Sequence, residues 1–393
     1  MAAAGKPLGL AIAGLGMAGA VMVRAAAAHP GVKLVTVAEP NFETRNAFAR
    51  DFNTPSYALL QELCDDQRVE VVYVATPHQF HAPHAISLAK AGKHIILEKP
   101  MALTLADCDA IVAAVERAGV QLIVGHTHAF DPAVREMGRI VASGELGALG
   151  MIAAWNYTNF LYRPRRPEEL DTARGGGILF NQLPHQIDIA RTIAGGRVRG
   201  VRAQATTLDP SRPTEGSAVA FLEFENGAAA SLVYSGYDFF DSDELDFWIS
   251  ERGADKPHDQ QGAARRALAG GTADESRLRV ERYAYGAPEG PPPTHQPHFG
   301  VIVVTCAAGE MRASADGLYV YDKNGKREVA LPKSKSMPGR SEVLDDMIAA
   351  VRDGKKPLHD GRWGKANVEV TLAIQRSARE RREIMLEHQI GAA

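Results

Sequence analysis

A six-residue glycine turn constrains this chain most strongly. Gly14, Gly16 and Gly19 form a GxGxxG pattern between a short apolar strand candidate, Leu8 to Ala13, and a helical segment. In this context Gly14 permits a tight turn, Gly16 lets a ligand approach the backbone, and Gly19 lets the helix pack against the strand. The turn predicts a dinucleotide site whose phosphates face helix N-terminal amides. The residues expected to contribute are Gly14, Gly16, Met17, Ala18 and Gly19. The plain structural alternative is a tight turn without a ligand.

Glu39 favours one form of the dinucleotide. It stands twenty residues past Gly19, at the end of the second strand candidate. A carboxylate there can accept hydrogen bonds from both ribose hydroxyls and would repel a 2′-phosphate, so NAD is expected rather than NADP. Two alternatives stay open: Glu39 is a solvated strand-end residue, or Arg45, six residues on, tolerates a phosphate.

The arrangement of strand and helix candidates predicts two domains. Over residues 1–125, short β-branched runs alternate with helical segments, which is typical of a doubly wound parallel sheet, the Rossmann fold. Over residues 126–393, strand candidates follow one another with few helices between them, which favours an α+β domain with an open, mostly antiparallel sheet. The strand candidates of this second part are Met151 to Asn159, Val198 to Leu208, Ala218 to Glu225, Ala228 to Gly236, Glu244 to Ser250, Val301 to Thr305, Leu318 to Asp322 and Glu328 to Leu331.

The sequence also predicts loops in two stretches that interrupt the strands of the second part, and helices at the end of the chain. The stretches Gly253 to Ser276 and Gly286 to Gly300 are polar or proline-rich and predict exposed loops. Two helices are expected near the end, Glu342 to Arg352 and a long one from about Lys365 to His388, and they are able to pack back on the Rossmann domain.

Charge and cysteine content narrow the possible partners. The 393 residues carry 44 Lys and Arg against 47 Asp and Glu, a formal net charge of −3, which favours neither nucleic acid nor an anionic membrane. The three cysteines are far apart and form no CxxC pair. With no apolar run long enough for a signal peptide or a membrane span, we expect a cytoplasmic protein.

Three further segments carry a family resemblance. They are Ala75-Thr76-Pro77 with His81, the run from Gly92 to Pro100, and the run from Gly175 to Asp188. Together with the glycine turn they resemble the glucose-fructose oxidoreductase/inositol dehydrogenase (Gfo/Idh/MocA) family. The resemblance implies a Rossmann domain followed by an open-faced antiparallel sheet domain, NAD as cofactor, and a homo-oligomer, either a dimer or a tetramer.

The resemblance also implies site residues. Lys99 and His185 would face the nicotinamide, His185 as the base for a substrate hydroxyl and Lys99 to bind the substrate oxygen. The family usually has Asp four residues before the histidine, but this chain has Asn181, which can orient a hydroxyl and cannot carry a proton. Asp188 is expected to be structural. The remaining cofactor contacts implied are Ala75, Thr76, Pro77, His81, Glu98 and Lys99.

The loops that would enter the site are rich in cationic groups and predict a small anionic, cyclic substrate. The candidate substrate contacts are His126, His128, Arg163, Arg165, Arg174 and Asn181. Arginine forks bind carboxylates in a bidentate way. The alternative is a solvated loop, because Glu168, Glu169 and Asp171 follow the arginines and can pair with them.

Other segments resemble a subgroup of the family that oxidises cis-4,5-dihydrodiols of phthalate with NAD. They are Phe180 to Gln182 with Pro184 to Gln186, Tyr237 to Glu244, His298 to Gly300 and Leu358 to Lys365. Two rival functions stay open: a sugar or inositol dehydrogenase of the same family, and a catalytically silent NAD-binding sensor, which Asn181 would suit. The spacing of His78, His81 and His84 turns three rings away from a single point on a helix, so no metal is expected.

Overall fold

The computed structural model describes residues 6–125, 127–269, 274–332 and 339–392, and these fall into two compact units. The first unit comprises the described residues of Met1–His126, Ser276–Glu289 and Lys335–Lys365. The second comprises those of Thr127–Glu275, Gly290–Ser334 and Ala366–Ala393. The chain is therefore more interleaved than the single boundary predicted at residue 125.

The strands and helices follow the predicted order closely in the first unit. Its elements are β1 (Leu8–Ala13), α1 (Met17–Ala28), β2 (Val32–Ala38), α2 (Phe42–Phe52), β3 (Ser56–Tyr57), α3 (Leu60–Asp65), β4 (Val71–Val74), α4 (His81–Lys90), β5 (His94–Glu98), α5 (Leu105–Ala118) and β6 (Leu122–Gly125). Those that follow, up to the insertion, are α6 (Pro132–Ser143), β7 (Leu149–Tyr157), α7 (Gly177–Asn181), α8 (Leu183–Ala194), β8 (Val198–Thr206), β9 (Ser217–Phe224) and β10 (Ala229–Ser235). The last are α9 (Ala263–Leu268), α10 (Glu275–Tyr283), β11 (Val301–Cys306), β12 (Gly309–Ala313), β13 (Gly317–Asp322), β14 (Gly325–Ala330), α11 (Arg340–Asp353), α12 (Gly361–Glu380) and β15 (Ile384–Met385).

The sheet of the first unit is parallel throughout and has the order β3-β2-β1-β4-β5-β6. β1, β4 and β6 are buried along their whole length, as expected for strands with helices on both faces. The strand order reverses direction at β1, between β2 and β4, and ligands of such sheets bind at this switch point. The glycine turn that follows β1 is therefore placed where a dinucleotide is expected, and the Rossmann prediction is confirmed.

Two elements near the end of the chain complete the first unit. His29 on the loop after α1 lies 3.1 Å from Asp345 of α11, between Nε2 and Oδ1. Trp363, in the first turns of α12, is fully buried. Gly364 follows it, and a Cβ there would lie 2.6 Å from Cγ2 of Val124 on β6, so only glycine lets the helix approach this closely. The expected return of the last helices thus involves α11 and the beginning of α12.

The second unit is built on a nine-stranded sheet of order β14-β13-β12-β11-β7-β10-β9-β8-β15. Its pairs are antiparallel except for β7 with β10, which run parallel at its centre. In β9 and β10, buried residues alternate with more exposed ones, so one face of the sheet holds the core. α8 packs on this buried face beside β10 and β7. The predicted open, mostly antiparallel domain is confirmed.

Two predictions about single elements are wrong. Glu244 to Ser250 alternates like a strand but forms turns, because Phe247 and Trp248 both adopt left-handed backbone conformations that a strand cannot contain. The helix expected to reach His388 ends at Glu380, where Arg381 is left-handed with φ of 57°. The short strand β15 follows and pairs with β8.

The insertion between β10 and β11 is more ordered than predicted. α9 and the first two residues of α10 lie within Gly253 to Ser276, which was expected to be a loop; residues 270–273 of that stretch lie outside the described part. α10 is rich in charged residues and has none that is fully buried, so no apolar stripe marked it as a helix. In the described residues, no helix is long and apolar enough to cross a membrane.

Candidate functional site

The glycine turn of the first unit has the geometry that each glycine was expected to supply. Gly14 has a left-handed φ of 89°, and a Cβ there would lie 2.7 Å from the carbonyl oxygen of Ala75. A Cβ on Gly19 would lie 1.9 Å from the carbonyl oxygen of Gly14. At Gly16, by contrast, a Cβ would meet nothing within 4 Å. The turn is therefore closed against the sheet at its two ends and open at its middle.

The open middle of the turn coincides with the N-terminus of α1. Gly16 is the N-cap residue and has no side chain to satisfy the amides of the first helical turn. Met17 and Ala18 begin that turn, so their N–H groups are directed towards the open space. A cradle bordered by backbone amides at the positive end of a helix fits a pyrophosphate. The residues present therefore fit a dinucleotide at this turn.

Glu39 is attached to the same turn. Its Oε2 accepts a hydrogen bond from the N–H of Leu15 at 2.8 Å, and its Oε1 accepts one from the N–H of Asn41 at 2.8 Å. Arg45 donates to the carbonyl oxygen of Pro40 at 2.8 Å, next to Glu39 in the chain. A half-buried carboxylate beside the phosphate cradle suits ribose hydroxyls, while the adjacent guanidinium leaves the choice between NAD and NADP to experiment.

His81 connects two loops that border the carboxyl ends of β4 and β5. The imidazole is fully buried; its Nε2 lies 2.9 Å from the carbonyl oxygen of Thr76 and its Nδ1 lies 2.8 Å from that of Pro100. Burial lowers the pKa of His81 and favours the neutral ring. Each ring nitrogen of His81 faces one backbone carbonyl, on the Ala75-Thr76-Pro77 loop and on the loop after β5, and the cofactor contact predicted for His81 stays a prediction. The side chain of Thr76 is in turn 3.0 Å from Nδ1 of His84.

Glu98 lies buried directly before the half-exposed Lys99. Arg340, from the start of α11, donates to Glu98 Oε1 at 3.0 Å, and the hydroxyl of Tyr73 bonds to the same oxygen. Burial opposes ionisation of Glu98, but Arg340 and Lys99 outweigh it and hold the pKa of Glu98 below its ordinary value. Glu98 is therefore a buried anion directly before Lys99, and the cofactor contact predicted for it stays a prediction. The Lys99–Pro100 peptide bond is cis.

In the second unit, the glycine run before α7 is tightly packed. A Cβ on Gly177 would lie 2.1 Å from the hydroxyl oxygen of Thr214, and one on Gly176 would lie 2.6 Å from the carbonyl oxygen of Glu169. Asn181 donates from Nδ2 to the carbonyl oxygens of Gly175, at 3.1 Å, and Gly177, at 2.8 Å. The amide group of Asn181 thus fixes the shape of the glycine run, a role that the sequence analysis did not anticipate.

His185 lies in the first turn of α8 and is 9% exposed. Its ring contacts His128 edge-on and Phe299 at a tilt, with ring centroids 4.8 Å apart in both pairs. Asp188, one turn further along α8, is fully buried and accepts a hydrogen bond from Asn367 at 2.8 Å. Asp188 is therefore structural, as expected, and the groups next to His185 come from other elements.

His128 is held between two carboxylates. Its Nδ1 lies 2.8 Å from Oδ2 of Asp131, and its Nε2 lies 3.2 Å from Oε1 of Glu251. Burial opposes a charge on this ring, but Asp131 and Glu251 outweigh it and raise the pKa of His128 to about 9. Glu251 responds in the opposite direction: burial opposes its charge, and hydrogen bonding and charge interaction with His128 still hold the pKa of Glu251 well below its usual range. A positively charged imidazole therefore borders His185.

The cationic side chains predicted to bind an anionic substrate differ in their surroundings. Arg163 donates from Nε to Oδ1 of Asn159 at 2.8 Å, and its Nη2 lies 3.9 Å from Oε2 of Glu251, so it extends the cluster around His128. Arg165 is buried; it donates from Nε and Nη2 to the carbonyl oxygen of Phe160 at 3.1 and 2.6 Å. Its guanidinium thus holds its own loop, and the substrate contact predicted for Arg165 stays a prediction. Arg174 is exposed, and His126 lies outside the described residues.

Several residues at these sites escaped the sequence analysis. Glu251 and Asp131 determine the charge of His128, and Arg340 determines that of Glu98. Phe299 packs against both His128 and His185, and it belongs to the His298 to Gly300 segment, which was noted only for its family resemblance. The resemblance of that segment was the one sequence feature that pointed to any of these residues, because no motif or spacing in the sequence marks Glu251 or Arg340. Among the described residues, no three His, Cys, Asp or Glu side chains gather as a metal site.

Comparison with protein families agrees with both units. Residues 8–126 match a family model described as "Oxidoreductase family, NAD-binding Rossmann fold". Residues 134–250 match a model described as "GFO/IDH/MocA C-terminal domain". The two matches together cover more than half of the chain.

Two proteins and one crystal structure are similar to this chain over half of its length or more. The chain is 37% identical over 378 residues, 93% of each protein, to the 1-carboxy-3-chloro-3,4-dihydroxycyclo hexa-1,5-diene dehydrogenase of Comamonas testosteroni. It is 29% identical over 52% of its length to the scyllo-inositol 2-dehydrogenase (NAD(+)) of Bacillus subtilis (strain 168), of which the match covers 60%. A crystal structure from Bordetella bronchiseptica RB50, provisionally described as a dehydrogenase, is 43% identical with a TM-score of 0.92, covering 97% of this chain and all of that one.

Proposed function

Because the chain belongs to the Gfo/Idh/MocA oxidoreductase family, with an NAD-binding Rossmann domain, we propose that it oxidises a cyclic cis-dihydrodiol carboxylate with NAD. The observation that carries the proposal is the similarity, over 93% of both chains, to a dehydrogenase whose name describes a carboxylated dihydroxycyclohexadiene. The candidate substrate is cis-4,5-dihydro-4,5-dihydroxyphthalate, which the subgroup resemblance predicts and which would yield 4,5-dihydroxyphthalate. A diene diol with one ring carboxylate is the second candidate.

The proposed reaction removes one hydride and one proton from the same carbinol. His185 would take the hydroxyl proton, and Lys99 would bind the oxygen and stabilise its developing negative charge. NAD, when bound, supplies the hydride acceptor. The hydroxyketone that results loses a ring proton and gains one on oxygen, which gives an aromatic catechol. Aromatisation would drive the reaction towards oxidation.

The proposed base has a charged neighbour, because the His128 imidazolium lies in edge contact with the His185 ring. Arg163, Arg165 and the exposed Arg174 are the cations proposed to bind a substrate carboxylate.

The experiment compares NADH formation from NAD and a panel of carboxylated cis-dihydrodiols, inositols and sugars. We expect turnover with a carboxylated dihydrodiol, and loss of about 10²- to 10⁴-fold in kcat for Lys99→Met or His185→Asn, the range for acid–base groups. Lys90→Met, an exposed lysine on α4, is the matched control and should retain full turnover.

Each alternative gives a different result in this experiment. Turnover of a neutral inositol or sugar, and of no carboxylated diol, would establish the rival dehydrogenase reading. A silent sensor would bind NAD and oxidise nothing, and its Lys99 and His185 variants would behave as the wild type does. Either result would contradict the proposed substrate class.

We further propose that the protein works as a homo-oligomer. The face of the second sheet opposite α8 exposes large apolar side chains on two of its strands, Met151 and Trp155 on β7 and Val219 and Phe221 on β9. An antiparallel sheet can leave one face to solvent, but that face is then normally polar. A second copy of the chain is the proposed cover for it.

A further inference from the structure

The stretch Ser276–Glu289, named here the return segment, belongs to the first unit although the residues on both sides of it belong to the second. It contains all but the first residue of α10 and the turn after it. The sequence predicted loops only at the two ends of this segment and assigned no element to residues 277–285, and the proposed reaction gives the segment no role. The segment nevertheless lies beside the glycine turn of the first unit.

The return segment bonds to the middle of the glycine turn. The N–H of Tyr285 donates to the carbonyl oxygen of Leu15 at 2.9 Å. The N–H of Leu15 in turn donates to Glu39 Oε2 at 2.8 Å, and the Leu15 side chain is fully buried. Leu15 is thus held at its amide, its carbonyl and its side chain, and the return segment supplies one of these three attachments.

The carbonyl attachment has a direct consequence for the phosphate cradle. The carbonyl of Leu15 and the N–H of Gly16 belong to one planar peptide unit and point in opposite directions. A hydrogen bond that fixes the Leu15 carbonyl therefore fixes the direction of the Gly16 N–H. Gly16 is the N-cap residue of α1, where the turn is open to a ligand.

Tyr285 is the residue that anchors the segment. Its ring packs edge-on against Phe48 and at a tilt against Phe52, with ring centroids 5.7 and 6.4 Å apart. Its hydroxyl donates to Asp51 Oδ2 at 2.7 Å. Burial, followed by the Asp51 carboxylate, raises the pKa of Tyr285, so the phenol keeps the proton that it donates. All three partners lie on α2, so Tyr285 connects the turn after β1, through its backbone N–H, with the helix after β2, through its side chain.

The far end of the segment carries a weaker attachment. Oε1 of Glu289 lies 3.6 Å from Nε of Arg24 on α1, and the Glu289 side chain is 69% exposed. An ion pair this exposed adds little free energy. The rings around Tyr285 are therefore the attachment that holds the segment against the turn.

We propose that the return segment is a positioning element for the pyrophosphate-binding turn, with Tyr285 as its anchor. The segment holds the Leu15–Gly16 peptide in the orientation that presents the Gly16 N–H to a phosphate. By reciprocity, a bound dinucleotide and the docked segment stabilise each other. The inference concerns cofactor binding alone and does not depend on which alcohol the enzyme oxidises.

The first experiment measures binding of NAD and of adenosine to the full chain by calorimetry. Tyr285→Ala should weaken NAD binding about three- to tenfold, the range for loss of one net hydrogen bond, and leave adenosine binding unchanged because adenosine has no phosphate. Tyr285→Phe keeps the ring packing and should have a smaller effect. Tyr283→Ala, two residues earlier at the end of α10, is the matched control and should bind NAD as the wild type does.

The second experiment follows amide hydrogen exchange in the return segment with and without NAD, in the wild-type chain. NAD should slow exchange at Tyr285 and its neighbours, and adenosine should not. This measurement needs no variant, so it stands even if Tyr285→Ala fails to fold.

Three results would overturn the inference: unchanged NAD affinity in Tyr285→Ala, an equal loss of NAD and adenosine affinity, or exchange in the segment that NAD does not alter. A wild-type chain that does not bind NAD at all would instead contradict the proposed function. The two failures are therefore distinguishable.

Discussion

A methyl group would enter open space at Gly16 but would overlap backbone atoms at Gly19. Substitution of Gly16 therefore tests cofactor binding, and substitution of Gly19 tests the stability of the fold. A Cβ on Gly16 enters open space, so Gly16→Ala should fold normally and weaken NAD binding about tenfold or more by occupying the phosphate cradle. A Cβ on Gly19 lies 1.9 Å from the carbonyl oxygen of Gly14, so Gly19→Ala should destabilise the first unit by roughly 1–3 kcal/mol. Thermal unfolding and NAD titration of both variants check this. Equal NAD affinity in Gly16→Ala and the wild type would contradict the assignment of the cradle.

His128 gives the second unit a pH-dependent component of stability. Its pKa rises from an ordinary 6.5 to about 9, since Asp131 and Glu251 outweigh the effect of burial. Stability from the imidazolium is therefore complete below about pH 6.5 and is lost as the pH rises through about 9. His128→Gln should cost roughly 2 kcal/mol at pH 6, the value of a hydrogen bond to a charged group, and clearly less at pH 10.

Thermal unfolding at these two pH values measures the effect of His128. His258→Gln, which alters an exposed histidine, is the matched control and should track the wild type at both. A destabilisation by His128→Gln that is the same at pH 6 and pH 10 would contradict a charged ring between the two carboxylates.

A strand or helix could be predicted from the sequence where a single local pattern determines it. β1 was placed to the residue, because Gly14 follows it directly and its apolar run is complete. Glu244 to Ser250 was misread, because alternation alone cannot reveal two left-handed residues in succession. α10 was missed because it has no apolar stripe, and its position depends on one tyrosine that packs on α2.

The open face of the second sheet makes a prediction about assembly. The wild-type chain should sediment as a dimer or tetramer at micromolar concentration. Trp155→Lys with Phe221→Lys should shift it towards monomer, because each places a charge in the apolar face. Leu208→Lys is the matched control, since Leu208 is 68% exposed but lies beyond the end of β8. A monomeric wild-type chain, or an unaltered double variant, would contradict this use of the face.

Across the molecule, the sequence indicated candidate functional residues but not the residues that support them. The glycine turn, Lys99 and His185 were singled out because a motif or a family pattern marks each of them. Glu98 and His81 were singled out in the same way, and both are buried. Supporting residues come from distant parts of the chain, and only the folded structure brings them to the residues they charge or fix.

The interleaving of the two units along the chain likewise depends on contacts between residues that are distant in the sequence. Ser276–Glu289 and the described part of Lys335–Lys365 return to the first unit, where buried side chains such as Trp363 hold them. The sequence predicted loops at two of these crossings, Gly253 to Ser276 and Gly286 to Gly300, but nothing in it showed that the residues between them belong to the first unit. A boundary drawn from texture alone therefore divides the chain once where the fold divides it several times.

The central claim is that the chain transfers a hydride from a carboxylated cis-dihydrodiol to NAD. The most direct measurement uses that diol with deuterium on both carbinol carbons and follows the nicotinamide of the product by NMR. The account predicts one deuterium on the nicotinamide ring of each NADH, in equal amount to the catechol formed. Catechol formation without label in NADH, or no reaction above that of His185→Asn, would contradict it.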